Sequence, residues 1–184
     1  MSYETELSKK VLCAYRKYPD ADIIAFQVKR KGNALRGKTF RKKKSWENYI
    51  TSMKISSVEI TFKRESIIKN QISFNPNFGA GTDLPQGEEN LFLYDALNKG
   101  LKILYLPINI GEVNVNESSW FEGYDKKYLY TMGAKFYKMS KKAHVLLILQ
   151  YALRRHKLYK GKFSIFQIIR LMFKGKKLLL APHF

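Results

Sequence analysis

Three strand-type runs, set apart by helix-type segments, constrain this chain most. ADIIAFQV, residues 21–28, is β-branched and aromatic along its length, the composition of a strand buried in a sheet. SVEITFKR, 57–64, alternates Val58, Ile60 and Phe62 with Glu59, Thr61 and Lys63, which predicts one buried and one exposed face. KILYLPI, 102–108, is the third run, closed by Pro107. Ahead of the first, Ser2 is placed to cap a helix whose first turn holds Glu4 and Glu6. Leu7, Val11, Ala14, Tyr15 and Tyr18 line one face of that helix, and Pro19 ends it. ESIIKNQI reads as a short helix, and another runs from Glu88 to Gly100, a suitable C′ residue. Strands alternating with helices point to a layered α/β fold. With 184 residues and 45% apolar content the chain can bury one core, and it contains no internal repeat.

Thirty-four Lys plus Arg against fifteen Asp plus Glu give a net charge of +19, which favours an anionic partner. The charge is concentrated. Between Asp22 and Glu47 there is no acid, while Lys29, Arg30, Lys31, Arg36, Lys38 and Arg41 through Lys44 accumulate, a segment read as loop or hairpin. After Asp125 there is no Asp or Glu to the C-terminus. There, SKKAHVLLILQYALRRHK and FSIFQIIRLMFK each carry an apolar core of roughly ten residues between cations. Such cores are too short to span a bilayer and suited to its interface. A lone Cys13 excludes a disulfide framework and suits a reducing compartment, and MSYETELSKK has no apolar signal region. The expected location is therefore cytoplasmic, peripheral at the inner face of the membrane. A nucleic-acid binder is the competing class, since Tyr and Phe interleave with Lys, but no RNP, KH or zinc-finger pattern occurs.

Two motifs invite other chemistry. GNALRGKT, Gly32 to Thr39, matches the P-loop pattern, yet FRKKKSWENYI behind it has no apolar helical stripe to pack on a sheet. A nucleotide-binding loop at 32–39 is thus the lesser alternative. Asp20 and Asp22 have the spacing of a metal-binding pair but precede their strand rather than follow it, so a Pro-Asp turn is the expected role. His144, His156 and His183 show no ligand spacing, and no metal site is expected within the chain.

GAGTDLPQGEENLFLYDALNKG, 79–100, sets glycines and a proline ahead of Glu88 and Glu89. Acids in a first helical turn meet the macrodipole favourably, by a few tenths to about 1 kcal/mol, so the pair is either a helix-start device or a positioned acid/base group. The order SSVEITFKRESI, ISFNPNFGAGTDLPQGEENLFLYDALNKGLKILYLP and SSWFEGYDKKYLYTMGAKFY resembles the C-terminal half of family 2 glycosyltransferases of bacterial surface-polysaccharide synthesis. The resemblance covers most of residues 3–137.

That resemblance implies an incomplete GT-A-type mixed sheet flanked by helices, with an acceptor-side half at 1–137 and a basic amphipathic helical tail at 138–184. It implies that Glu89 is the catalytic base of an inverting transfer to an acceptor hydroxyl, with Glu88 orienting the loop or meeting the acceptor. The family more often has Asp at the second position. Thr82 and Asp83 would contact sugar, and Trp120 would offer an aromatic platform to an acceptor ring. A nucleotide-sugar donor and a glycan or lipid-linked acceptor are the implied partners. The complete enzyme would need a divalent metal, Mg or Mn, whose ligands belong to a donor-binding half not matched by this sequence. Either a separate polypeptide supplies that half or the gene is a truncated remnant, and the chain alone is expected to be inactive.

Overall fold

The computed structural model describes residues 2–3, 6–32, 38–114, 123–159 and 161–180. The chain divides into two compact units, Met1–Ser73 with Phe92–Ser118, and Phe74–Leu91 with Ser119–Phe184.

The first unit is a mixed sheet covered by helices. Its five strands are β1 (Ser2–Tyr3), β2 (Ile23–Lys31), β3 (Ser45–Trp46), β4 (Ile60–Phe62) and β5 (Ile103–Asn114), ordered β1-β5-β2-β4, with β3 also on β5. β2 and β5 are parallel; every other pairing is antiparallel. The continuous apolar runs are explained by burial on both faces. Ile23, Ala25, Ile103 and Tyr105 face a core shared with Phe92, Leu93 and Ala96. Ile24, Phe26, Val28, Leu104 and Leu106 face the other core, where helix α1 (Leu7–Lys17) contributes Ala14 and packs Leu7, Val11 and Tyr15. The helical face of α1 is therefore as its periodicity predicts. Helix α2 (Arg64–Lys69) and helix α3 (Glu88–Asn98) also form where expected. α3 ends in a Schellman motif: Gly100 has φ +78°, its N–H donates to Leu97 O (3.0 Å), and Leu101 N–H donates to Ala96 O (3.0 Å).

Three local expectations need correction. Ser2 does not cap α1, which begins at Leu7; Ser2 and Tyr3 instead pair with Glu112 and Gly111, satisfying backbone groups along β5. Pro107 does not close the third strand. β5 runs through it to Asn114, because the register against β2 slips between Ala25 and Gln27, and a bulge tolerates a residue with no N–H. SVEITFKR is not an alternating strand, since Ser57–Glu59 is a 3-10 turn and Glu59 is buried. The Ser56 side chain accepts from the Glu59 N–H while the Glu59 carboxylate accepts from the Ser56 N–H, a capping box that turns the chain before β4 can lengthen. The basic block, read as loop or hairpin, is irregular over its described residues 38–44, and β3 after it pairs with β5.

The second unit contains the Gly-rich loop, the first turn of α3, and three helices: α4 (Lys126–Met139), α5 (His144–Arg155) and α6 (Ile165–Leu179). Residues 137 and 138, where the sequence places the start of the tail, are consecutive within α4. Asp125 caps α4 by accepting from Tyr128 N–H (2.7 Å), and Ser164 caps α6 with Gln167 as its box partner. The α4–α6 crossing is set by two glycines. A Cβ on Gly133 would lie 1.8 Å from the Met172 carbonyl oxygen, and one on Gly175 would lie 1.9 Å from that of Tyr130. Ile148, Ala152, Ile168 and Met172 are fully buried. Among the described residues no helix is long and apolar enough to cross a membrane.

Candidate functional site

The loop before α3 is tied down by its own residues. Phe78 and Leu84 are buried and bridge each other, Gly79 N–H donates to Leu84 O (2.9 Å), and the Thr82 hydroxyl donates to Gly79 O (2.9 Å) while accepting from Leu84 N–H (3.1 Å). Thr82 thus spends its hydroxyl inside the loop, whereas Asp83 is exposed. Two glycines are required for reasons beyond the turn. Gly79 (φ +116°) would place a Cβ 3.3 Å from Glu88 Cδ, and Gly87 (φ +101°) would place one 2.5 Å from Lys135 Cδ. The loop is shaped to let the Glu88 carboxyl and the Lys135 stem pass close to its backbone.

Glu88 and Glu89 open α3, and Leu91 N–H donates back to Gly87 O (3.0 Å), so the helix begins at the acidic pair. Burial pushes the Glu89 carboxyl above the ordinary carboxylate range. The Lys135 ammonium opposes that rise; the Glu88 charge and a hydrogen bond between the two carboxyls add to it. Lys135, in the middle of α4, is buried, and burial pushes its ammonium below the usual lysine range against the pull of Glu89 and then Glu88. Its Nζ donates to Asn90 Oδ1 at 2.9 Å. Buried side-chain atoms without a protein partner include Glu88 Oε2 and Asn90 Nδ2, one acceptor and one donor within one turn of chain, while the Gln86 side chain hydrogen-bonds Tyr128. This arrangement can take a proton at Glu89 and can offer both donors and acceptors to a polar ligand.

Lys135, Asn90 and Gln86 are the residues that sequence reasoning missed. The available signal was a cation at helical spacing from Thr131, Met132 and Met139, all buried on α4. Trp120 lies outside the described residues, as do most of the P-loop-like residues. Lys38, the lysine of that motif, is held by a buried acid: its Nζ donates to Glu59 Oε1 at 2.6 Å, and burial lowers its pKa despite Glu59. Arg41 likewise pairs with buried Glu47 (2.8 Å) and lies 4.2 Å above the Tyr105 ring. Part of the basic block is therefore internal neutralisation.

Among the described residues no group of three or more His, Cys, Asp or Glu side chains converges. Asp22 is a structural residue that accepts from Ser66 Oγ (2.6 Å) and from Lys102 N–H (2.8 Å). His144 is packed in place, with Nδ1 2.8 Å from Lys141 O and Nε2 3.2 Å from Lys176 Nζ. Compared with known proteins, the chain matches no family model and no curated protein.

Proposed function

We propose that this chain is the acceptor side of an inverting glycosyltransferase in surface-polysaccharide synthesis, with Glu89 as its base. The observation that carries the reading is the acidic pair at the head of α3, where Glu89 is desolvated and faced by a buried lysine. A solvated helix-start carboxylate would titrate near its ordinary value and need no such partner. The order of motifs along residues 3–137, which resembles family 2 enzymes, supplies the reaction type.

In the proposed step the acceptor hydroxyl gives its proton to the Glu89 carboxylate as its oxygen attacks the anomeric carbon. The bond from that carbon to the nucleoside diphosphate breaks in line, and configuration inverts. The Lys135 ammonium opposes the rise that burial imposes on Glu89 and so favours the carboxylate form that a base needs. Glu88 and Asn90, with an unpartnered acceptor and an unpartnered donor, suit sugar hydroxyls, which both donate and accept. Donor binding and any divalent metal are assigned to the nucleotide-binding half of such an enzyme, and no step here depends on a metal held by these residues.

The same reading places the protein at the inner face of the membrane. On α5, Val145, Leu146, Leu149 and Leu153 are exposed, Leu146 at 69% and Leu153 at 62%, while Ile148 and Ala152 on the adjoining face are buried. An exposed aliphatic row among cations, in a segment without acids, suits anionic lipid.

The test is nucleoside diphosphate release from a panel of sugar nucleotides by the chain joined to a nucleotide-binding half. Glu89→Gln is expected to lower turnover by roughly 10²- to 10⁴-fold, the worth of a general base, and Glu88→Gln to lower it less. Full turnover by Glu89→Gln would remove the assignment.

A further inference from the structure

We propose that the groove between α4 and α6 binds a phosphate or diphosphate group. The groove encloses about 660 Å³ and is lined by Lys126, Arg170, Lys174 and Lys177, with Tyr130 and Phe163 among its walls. That volume is on the scale of a small-molecule site rather than a continuous nucleic-acid track. Among the described residues no carboxylate lines it, and the nearest in sequence, Asp125, is committed to capping α4. Arg170, Lys174 and Lys177 stand at i, i+4 and i+7 on one face of α6, where like charges repel unless an anion lies between them. Lys126 faces them from α4, and Lys174 Nζ sits 5.8 Å over the Tyr130 ring.

The walls are fixed in advance. Gly175 lets α6 press against the Tyr130 carbonyl and Gly133 lets α4 press against that of Met172, so the groove between the helices does not need to form on binding. An arginine fork and three ammonium groups around an aromatic wall match a phosphorylated headgroup or a free phosphorylated compound, and both present the same oxyanions. The site lies apart from the glutamate pair in chemistry and in sequence. Its failure would leave the proposed base untouched.

The experiment titrates the full chain with inorganic pyrophosphate at fixed ionic strength. Saturable binding is expected, weakened on the order of tenfold per cation removed in Arg170→Gln/Lys174→Gln and again in Lys126→Gln/Lys177→Gln. Lys141→Gln/Lys142→Gln, which removes the same charge outside the groove, is expected to bind as the unaltered chain does. Far-ultraviolet circular dichroism of each variant checks the fold. Flotation with phosphatidylcholine vesicles, with and without phosphatidic acid, identifies the source of the oxyanion. Acid-dependent flotation competed by pyrophosphate assigns a lipid headgroup, and pyrophosphate binding without flotation assigns a free compound. Three results would overturn the proposal: no saturable binding, an equal loss in the Lys141/Lys142 variant, or groove-dependent binding of single-stranded DNA that pyrophosphate cannot compete.

Discussion

At the residue scale, the decisive feature is the company Glu89 keeps. Its pKa is raised by burial, so between the ordinary carboxylate value of about 4.3 and the raised value the folded chain holds a proton that the unfolded chain has released. Stability attributable to this group therefore falls as pH rises through that window. Urea midpoints measured against pH should show that slope in the unaltered chain and lose it in Glu89→Gln. The acidic pair and the glycines before it were legible in the sequence because helix-start acids and loop glycines are local signals. Lys135 was not, because only packing reveals that this α4 lysine is buried beside residues 86–90. Glu59 escaped for a related reason: its alternation with Val58 and Ile60 looked like a strand, but the Ser56 capping box decided the local backbone.

At the element scale, β2, the first half of β5 and the helices α1, α2 and α3 followed from periodicity, punctuation and caps, whereas β1 and β3 did not. The departures came from tertiary pairing, which drew Ser2–Tyr3 onto β5 and carried β5 past Pro107. The α4–α6 crossing gives a sharp mutational contrast. Gly175→Ala adds helix propensity of about 1 kcal/mol, yet its Cβ would meet the Tyr130 carbonyl at 1.9 Å, and the helices must separate. We expect a net loss of about 2 kcal/mol or more, seen as a lowered unfolding midpoint, and a similar loss for Gly133→Ala. Gly100→Ala has open space around it and should cost only the left-handed backbone penalty, roughly 1–2 kcal/mol.

At the scale of the whole molecule, a net charge of +19 is divided between cations spent internally and cations left outward. Lys38 and Arg41 neutralise buried Glu59 and Glu47, while the segment after Asp125 has no acids with which to pair. Flotation with anionic vesicles should therefore weaken as salt is raised, and Leu149→Glu on α5 should weaken it further at constant salt. A salt response without any effect of Leu149→Glu would mean that charge alone holds the protein at the lipid.

The most direct test of the account is a carbon-detected titration of the Glu89 carboxyl by nuclear magnetic resonance, in the chain as it stands and in Lys135→Met. The predicted midpoint lies above the ordinary glutamate value and rises further in Lys135→Met, because removing the nearby cation disfavours the carboxylate. A midpoint at or below the ordinary value, or one indifferent to Lys135, would contradict the account and return both glutamates to the role of helix-start residues.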